Sequence, residues 1–196
     1  MWDFDGVLNT EPPSGPFPWI DDLPQEMGID AGAFRAFLRQ PGLARDVLRG
    51  RRDLEEALAA WLATRDTQVS AAELHAYWLD RDARPDAETV RWLDAAPQRA
   101  VIGTNNTVPR ARYIMERMGF AARVEAIFAS GGLGVAKPDA GFWRAIEDWS
   151  GLSPGRILLI DDARANVAAA RGRGWQAFHF TAESRARLPA LLGIDA

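Results

Sequence analysis

Apolar positions after residue 88 fall into short continuous runs, separated by stretches in which apolar side chains recur at helical spacing. Such runs are typical of strands buried on both faces, and they cover residues 99–103, 124–129, 156–160 and 175–180. Strands that alternate with helices predict an α/β fold, a doubly wound parallel sheet with helices on both faces.

The stretch between residues 30 and 80 contains helical patterns and no strand pattern. Asp30, Asp53 and Ser70 each precede apolar residues at helical spacing, so each is predicted to be an N-cap. A glutamate three residues after Ser70 completes a predicted capping box. We therefore expect a small helical module. The residues that predict a loop over positions 10–30 are Pro12, Pro13, Ser14, Gly15, Pro16 and Pro18.

Composition narrows the chemistry that this chain can perform. The 196 residues suit one α/β domain or a domain with an insertion, and the net charge of −4 offers no general basic field for nucleic acid or an anionic membrane. Cysteine is absent, so disulfides, thiolate metal sites and cysteine nucleophiles are excluded. The two histidines, His75 and His179, are predicted to be structural. No signal peptide or membrane-spanning run is visible, so a cytoplasmic location is expected.

Polar residues follow the predicted strands at the points where those strands end. Ligands of open α/β sheets bind outside the carboxyl ends of the strands, so these side chains are expected to share one edge. By itself the Asp-x-Asp pair near the start is a weak signal, because a solvated turn would carry the same residues. The candidates are Asp3 and Asp5 after the first strand, Thr104 and Asn105 after the next, Lys137 in a later loop, and Asp161 and Asp162.

Four carboxylates in one small cleft would repel one another by several kcal/mol without a cation. A hard divalent ion with oxygen ligands resolves this, and Mg²⁺ is the usual ion where a phosphate supplies further ligands. Lys137 and the Thr104 hydroxyl provide donors for anionic oxygens. A carboxylate nucleophile, a metal and a lysine together indicate phosphoryl transfer through an aspartyl phosphate.

Four ordered motifs resemble those of the haloacid dehalogenase superfamily, in the branch with a helical cap inserted after the first motif. The motifs cover residues 3–8, 102–106, 136–139 and 159–162, and Asn166 follows the last of them. The resemblance extends over the whole chain and implies a Rossmann-like core. In this division residues 1–13 and 89–196 form the core, and residues 14–88 form the cap.

The resemblance also implies a role for each matched residue. Asp3 would be the nucleophile, and Asp5 would protonate the leaving alcohol and then activate water. Mg²⁺ would be bound by Asp3, the backbone carbonyl of Asp5 and Asp162, with Asp161 acting directly or through water. The phosphoryl oxygens would be held by Thr104, the Asn105 amide and Lys137, and Asn166 would orient the acidic pair.

The function implied is a magnesium-dependent phosphatase that acts on a small phosphorylated metabolite, as a monomer or homodimer. Dehalogenating members lack a carboxylate at the position of Asp5, so its presence favours ester hydrolysis. Three alternatives remain: a phosphomutase on the same core, a catalytically silent binding protein, and a phospho-acceptor receiver domain. The last disagrees with the motif order, because Asp161 and Asp162 follow the threonine and lysine. The motifs do not indicate the substrate.

Three local features complete the expectations. Only Met1 and Trp2 precede Asp3, so the first strand is short, and we expect either a natural start upstream or a mobile Asp3. Gly131, Gly132 and Gly134 predict a flexible loop. Ser184 is predicted to cap the last helix.

Overall fold

The computed structural model describes residues 1–12, 15 and 17–194. Of the residues that predicted a loop before residue 30, Pro13, Ser14 and Pro16 lie outside this part. Within the described residues four strands form, each four residues long: β1 Val101–Thr104, β2 Ala126–Ala129, β3 Leu158–Asp161 and β4 Gln176–His179. All four fall within or beside the predicted runs.

Parallel pairing joins the strands into one layer through the start of the chain. β1 pairs with β2, and β3 pairs with β4, both in parallel. Trp2 forms parallel bridges to Ile102 on one side and Ile160 on the other, which places the first residues between the two pairs. The predicted parallel α/β fold is confirmed, and its carboxyl edge is where Asp3, Thr104 and Asp161 end their strands.

The first strand is short but bonded on both sides. The Trp2 amide donates to the Val101 carbonyl at 2.9 Å, and the Asp3 amide donates to the Ile160 carbonyl at 2.8 Å. Asp3 is buried at the end of this short strand. The expectation of an upstream start or a mobile Asp3 stays a prediction. Strand pairing stops at Asp3, because the next carbonyl, that of Phe4, accepts bonds from three following amides and turns the chain. Asp3 and Asp5 therefore do not share a strand face as the period of two predicted.

Helices pack on the sheet, and helices and short turns make up residues 18–95. The predicted N-caps Asp30, Asp53 and Ser70 each accept a bond from a backbone amide of the following helix, and Ser70 forms the predicted capping box. The helices are α1 Leu23–Glu26, α2 Ala31–Leu38, α3 Leu43–Val47, α4 Leu54–Leu62, α5 Ala71–Arg81, α6 Ala87–Ala95, α7 Val108–Glu116, α8 Ser130–Leu133, α9 Ala140–Ser150, α10 Arg164–Gly172 and α11 Leu188–Leu192.

Three buried apolar clusters hold the chain together. Two lie on the sheet: one contains Trp2, Phe4 and Ile102, and the other contains Trp143 and Leu159. The third consists entirely of side chains from residues 19–74, with others from residues 17–78 packed against it. The helical stretch thus has an apolar core of its own. The division into core and cap at residues 13/14 and 88/89 stays a prediction.

Two local predictions in the second half of the chain are wrong. Gly131 and Gly132 lie in α8 rather than in a flexible loop, because the Gly131 amide donates to the Asn106 carbonyl at 2.9 Å and the buried Ser130 hydroxyl bonds the Leu48 carbonyl. Ser184 does not cap a helix with its side chain; its hydroxyl donates to the His179 carbonyl at 2.7 Å.

The loop predicted over residues 10–30 also contains ordered turns. Pro18–Asp21 form a 3₁₀ turn, and α1 follows it directly. In this stretch the side chains of Trp19 and Leu23 are buried. Their packing against the other helices stabilises turns that the prolines alone did not predict. No helix in the described part of the chain combines the length and the apolar character that a bilayer-spanning segment needs.

Candidate active site

A buried lysine between two carboxylates forms the centre of the site. Lys137 Nζ lies 2.8 Å from Asp3 Oδ1 and 2.7 Å from Asp161 Oδ2. The lysine is 4% exposed and Asp161 is fully buried, so bulk water solvates neither side chain. Burial disfavours the ammonium, but the two carboxylates outweigh this and hold the pKa of Lys137 above its usual value. The lysine therefore stays charged in the interior.

Asp161 is held by donors from the turn and the helix that follow β3. Its Oδ1 accepts from the Ala163 amide at 2.9 Å and from Asn166 Nδ2 at 3.0 Å, and the same amide group lies 3.1 Å from Oδ2. The structure thus brings the buried Asn166 to the position predicted for it, one turn into α10. These bonds fix the orientation of the carboxylate at the end of β3.

The carboxylate of Asp162 lies directly against the backbone of Gly6. Gly6 has a φ of +81°, and a Cβ built on it would lie 2.5 Å from Asp162 Oδ2. Only glycine combines that backbone conformation with so close an approach. Burial and then the neighbouring charge of Asp161 raise the pKa of Asp162 above its usual range.

The carboxylates of Asp3, Asp161 and Asp162 fit a divalent metal ion. One oxygen of each lies within 4.8 Å of the others, and among the described residues these are the acidic or histidine side chains that form such a group. Burial raises the pKa of Asp3 well above its ordinary value, and Asp161 adds to this while Lys137 opposes it. One lysine does not neutralise three carboxylates, so the group has the surplus of negative charge and the hard oxygen atoms that Mg²⁺ requires.

Asp5 lies outside that group of carboxylates. Its side chain is exposed, with Oδ1 accepting from Asn9 Nδ2 at 3.0 Å and Oδ2 from Asn106 Nδ2 at 2.8 Å. Asn106 Nδ2 also lies 2.7 Å from Thr104 Oγ1, so one amide connects Asp5 with the buried threonine at the end of β1. The Asp5 carboxylate is therefore not part of the candidate metal group. Its role as acid and base, and metal contact by its backbone carbonyl, stay predictions.

Asn105 fastens the loop that carries the lysine. Its Oδ1 accepts from the Lys137 backbone amide at 2.8 Å, and its Nδ2 donates to the Lys137 carbonyl at 3.0 Å. Since the side chain is used in this way, only the backbone amide of Asn105 is left to hold a phosphoryl oxygen.

The structure brings together all of the residues predicted for the site, and it adds others that were not predicted. Asn9 and Asn106 orient Asp5, and the buried Arg110 closes the neighbouring wall by donating to the carbonyls of Leu79 and Asp82, each at 2.9 Å. Asn9 directly follows the first motif and Asn106 is the last residue of the second, which is the signal that could have found them. Arg110 has no such signal, because it lies on α7 beyond any motif.

Comparison with known proteins identifies the same architecture. A sequence profile of the haloacid dehalogenase-like hydrolases matches residues 1–174. No curated protein matches the sequence. Similar solved structures include a wild-type HAD family enzyme from Bacteroides thetaiotaomicron in complex with magnesium and inorganic phosphate; it is 16% identical, with 92% of each chain covered and a TM-score of 0.75.

Two further structures broaden this likeness. A predicted HAD-like family hydrolase from Porphyromonas gingivalis is 20% identical over 99% of this chain and 97% of that chain, with a TM-score of 0.74. An L-2-haloacid dehalogenase from Xanthobacter autotrophicus is 20% identical over 100% of this chain and 82% of that chain, with a TM-score of 0.64. The same fold therefore carries both a phosphate-binding enzyme and a dehalogenase.

Proposed function

Because the chain belongs to the haloacid dehalogenase-like hydrolases, we propose that it is a magnesium-dependent phosphatase. It hydrolyses a small phosphorylated metabolite through an aspartyl-phosphate intermediate. The catalytic residues are Asp3, Asp5, Thr104 and Lys137.

The placement of Asp5 carries the choice of reaction. An alcohol leaves a phosphate ester as an alkoxide unless an acid protonates it, whereas a halide leaves a carbon atom without a proton. The Asp5 side chain is held at 3.0 and 2.8 Å by Asn9 and Asn106, and in its acid form it would be the proton donor beside Thr104. A dehalogenase has no use for that group.

The reaction follows in two steps. An Asp3 oxygen forms a bond to phosphorus as the bond from phosphorus to the alcohol oxygen breaks, and the proton of Asp5 passes to that oxygen. Water then attacks the phosphorus of the acyl phosphate, Asp5 takes a proton from it, and inorganic phosphate leaves with Asp3 regenerated. Both steps use the same two carboxylates.

The phosphoryl oxygens need donors that are already in place. Lys137 Nζ has three N–H groups, of which two face Asp3 and Asp161, so one remains for the substrate. The Thr104 hydroxyl and the Asn105 backbone amide supply the others. Preorganised donors of this kind stabilise the charge that develops during transfer.

Asp3, Asp161 and Asp162 would hold Mg²⁺, which when bound supplies charge neutralisation and polarises the phosphoryl group. The test is release of 4-nitrophenol from its phosphate ester by the protein with Mg²⁺, after chelation, and after Mg²⁺ is restored. We expect turnover in the first and third conditions only. Chloride release from L-2-chloropropionate is measured in parallel. Halide release without phosphatase turnover would contradict the proposal.

A further inference from the structure

A cavity of about 300 Å³ lies between α2–α5 and the carboxyl edge of the sheet. Asp5, Asn105 and Asn106 line one part of it, so it begins beside the group that would protonate the leaving alcohol. We propose that this cavity holds the alcohol part of the substrate, and that this part is an apolar alkyl or aryl group rather than a sugar or a nucleoside. The inference rests on the proposed phosphatase function.

The wall that faces the catalytic groups is largely aliphatic. It contains Leu38, Val47, Leu48, Leu54 and Leu79, which come from the helical stretch. Leu48 and Leu79 are part-buried, yet among the described residues neither belongs to one of the three apolar clusters. Because these two side chains support no core, the apolar surface that they present is available to a ligand.

The main polar side chains of the wall, Asp82 and Arg110, make hydrogen bonds within the protein. Asp82 accepts from the indole N–H groups of Trp19 at 3.1 Å and Trp78 at 2.9 Å. The guanidinium of Arg110 donates to the carbonyls of Leu79 and Asp82. These bonds use both carboxylate oxygens of Asp82 and two of the five N–H groups of Arg110, so fewer polar atoms are left for a substrate hydroxyl.

Two polar side chains that line the cavity, those of His75 and Glu11, are not fully paired in this way among the described residues. Nε2 of His75 has no partner in the described part of the chain, but it is shielded from solvent, and Glu11 is exposed. A sugar would bring several hydroxyls into the cavity and leave most of them unpaired, which costs binding free energy for each group. An alkyl or aryl group has no such groups to satisfy, and burial of its surface favours binding.

A series of n-alkyl phosphates from methyl to hexyl tests the proposal with the full chain and Mg²⁺. We expect kcat/KM to rise by about fourfold for each added methylene until the cavity is filled, the gain expected for burial of one methylene. Glycerol phosphate and glucose 6-phosphate should fall well below hexyl phosphate. A flat series, or a preference for either hydroxylated ester, would overturn the inference.

The variant Leu79→Gln places an amide in the aliphatic wall while keeping a good helix former on α5. We expect it to lower the ratio of kcat/KM for hexyl phosphate to that for methyl phosphate by about tenfold. The matched control is Leu191→Gln, since Leu191 is an exposed leucine, 47% accessible, that does not line the cavity. The control should keep the wild-type ratio; an equal change in both variants would argue against a role for the cavity.

A binding measurement separates this inference from the proposed function. Calorimetric titration of 2-naphthol into the magnesium-free protein tests the cavity without catalysis, and Leu79→Gln should weaken that binding by about tenfold. Binding of this kind without turnover of any ester would support the cavity assignment and refute the phosphatase. Turnover that favours glycerol phosphate would do the reverse, and absence of both binding and turnover would refute both.

Discussion

The carboxyl edge of the sheet and the helical stretch over residues 17–78 bury opposite kinds of side chain. At the edge, the ionisable side chains of Asp3, Lys137 and Asp161 are enclosed, and each has partners within 3 Å. In the helical stretch the interior is aromatic and aliphatic, with Trp19, Phe34 and Trp61 in ring contact. Under the proposed function, the ionisable groups at the edge would perform the chemistry, and the apolar wall would select the substrate.

This contrast separates the effects of substitution. A change at the sheet edge alters groups that act on every substrate, so it should lower all activities together. A change in the helical wall alters only the contact with the leaving group, so it should change the ranking of substrates. The four substitutions below test that division, in order of decreasing expected effect.

Replacement of the nucleophile should have the largest effect. Asp3→Asn removes the carboxylate proposed to attack phosphorus but keeps the shape of the side chain, so phosphatase turnover should fall by at least about 10⁴-fold on every ester. The melting temperature, measured by circular dichroism, shows whether the fold is retained. Asp148→Asn, at an exposed position on α9, is the control and should keep full turnover. Residual activity near the wild-type level would exclude Asp3 as nucleophile.

Loss of the central charge should come next. Lys137→Met keeps most of the volume but leaves Asp3 and Asp161 without their cation, so turnover should fall by about 10²–10³-fold or more. Removal of one partner from a buried ion pair also destabilises, by about 3–5 kcal/mol. Chemical denaturation in the absence of Mg²⁺ measures that loss. A variant with wild-type stability and a loss of only a few fold would show that this lysine does not organise the site.

The residues at the strand ends could be predicted to meet in one site because of a geometric rule. Carboxyl ends of parallel strands meet at one edge, so Asp3, Thr104 and Asp161 had to be neighbours once their runs were recognised as strands. The contacts of Asn9 and Asn106 with Asp5 could not be predicted in the same way. They depend on the turn at the Phe4 carbonyl and on the path of the chain after β1, which no periodicity specifies.

The helical stretch shows the other limit of sequence prediction. Its helices were predicted because N-caps such as Asp53 and Ser70 bond to backbone amides only three residues later, so the signal lies in the local sequence. The cavity depends on how four helices lie against one another and against the sheet, which is a matter of long-range packing. α8 was missed for a similar reason: its glycines indicate a loop locally, but contacts of Ser130 with Leu48 and of Gly131 with Asn106 hold them in a helical turn.

An intermediate effect is expected where an amide only positions the acid. Asn106→Ala removes the donor to Asp5 and Thr104 and should lower kcat on alkyl phosphates by about tenfold. The effect on 4-nitrophenyl phosphate should be much smaller, because 4-nitrophenolate leaves without a proton. Gln176→Ala, which removes an exposed amide on β4, is the control. Equal losses on both kinds of ester would show that Asn106 does not act through Asp5.

The smallest effect concerns the contact that seats the helical stretch on the sheet. Residues 48–50 lie against the segment that leads to Lys137: the Ser130 hydroxyl bonds the Leu48 carbonyl, and Arg49 lies 3.0 Å from Asp139. Gly50 completes this contact, since a Cβ there would collide with the Gly131 carbonyl oxygen.

Gly50→Ala should therefore push the two regions apart, and Gly28→Ala provides the matched control. Gly50 has a φ of +64° and Gly28 a φ of +65°, so alanine is strained by about 1–2 kcal/mol at either position, but a Cβ at Gly28 meets open space. Both variants should melt a few degrees lower. Only Gly50→Ala should also lose activity, by about three- to tenfold in kcat/KM, with the larger loss on hexyl phosphate, because a displaced wall no longer aligns the leaving group with Asp5. If the two variants lose activity equally, backbone strain alone accounts for the effect, and the seating of the helical stretch has no part in catalysis.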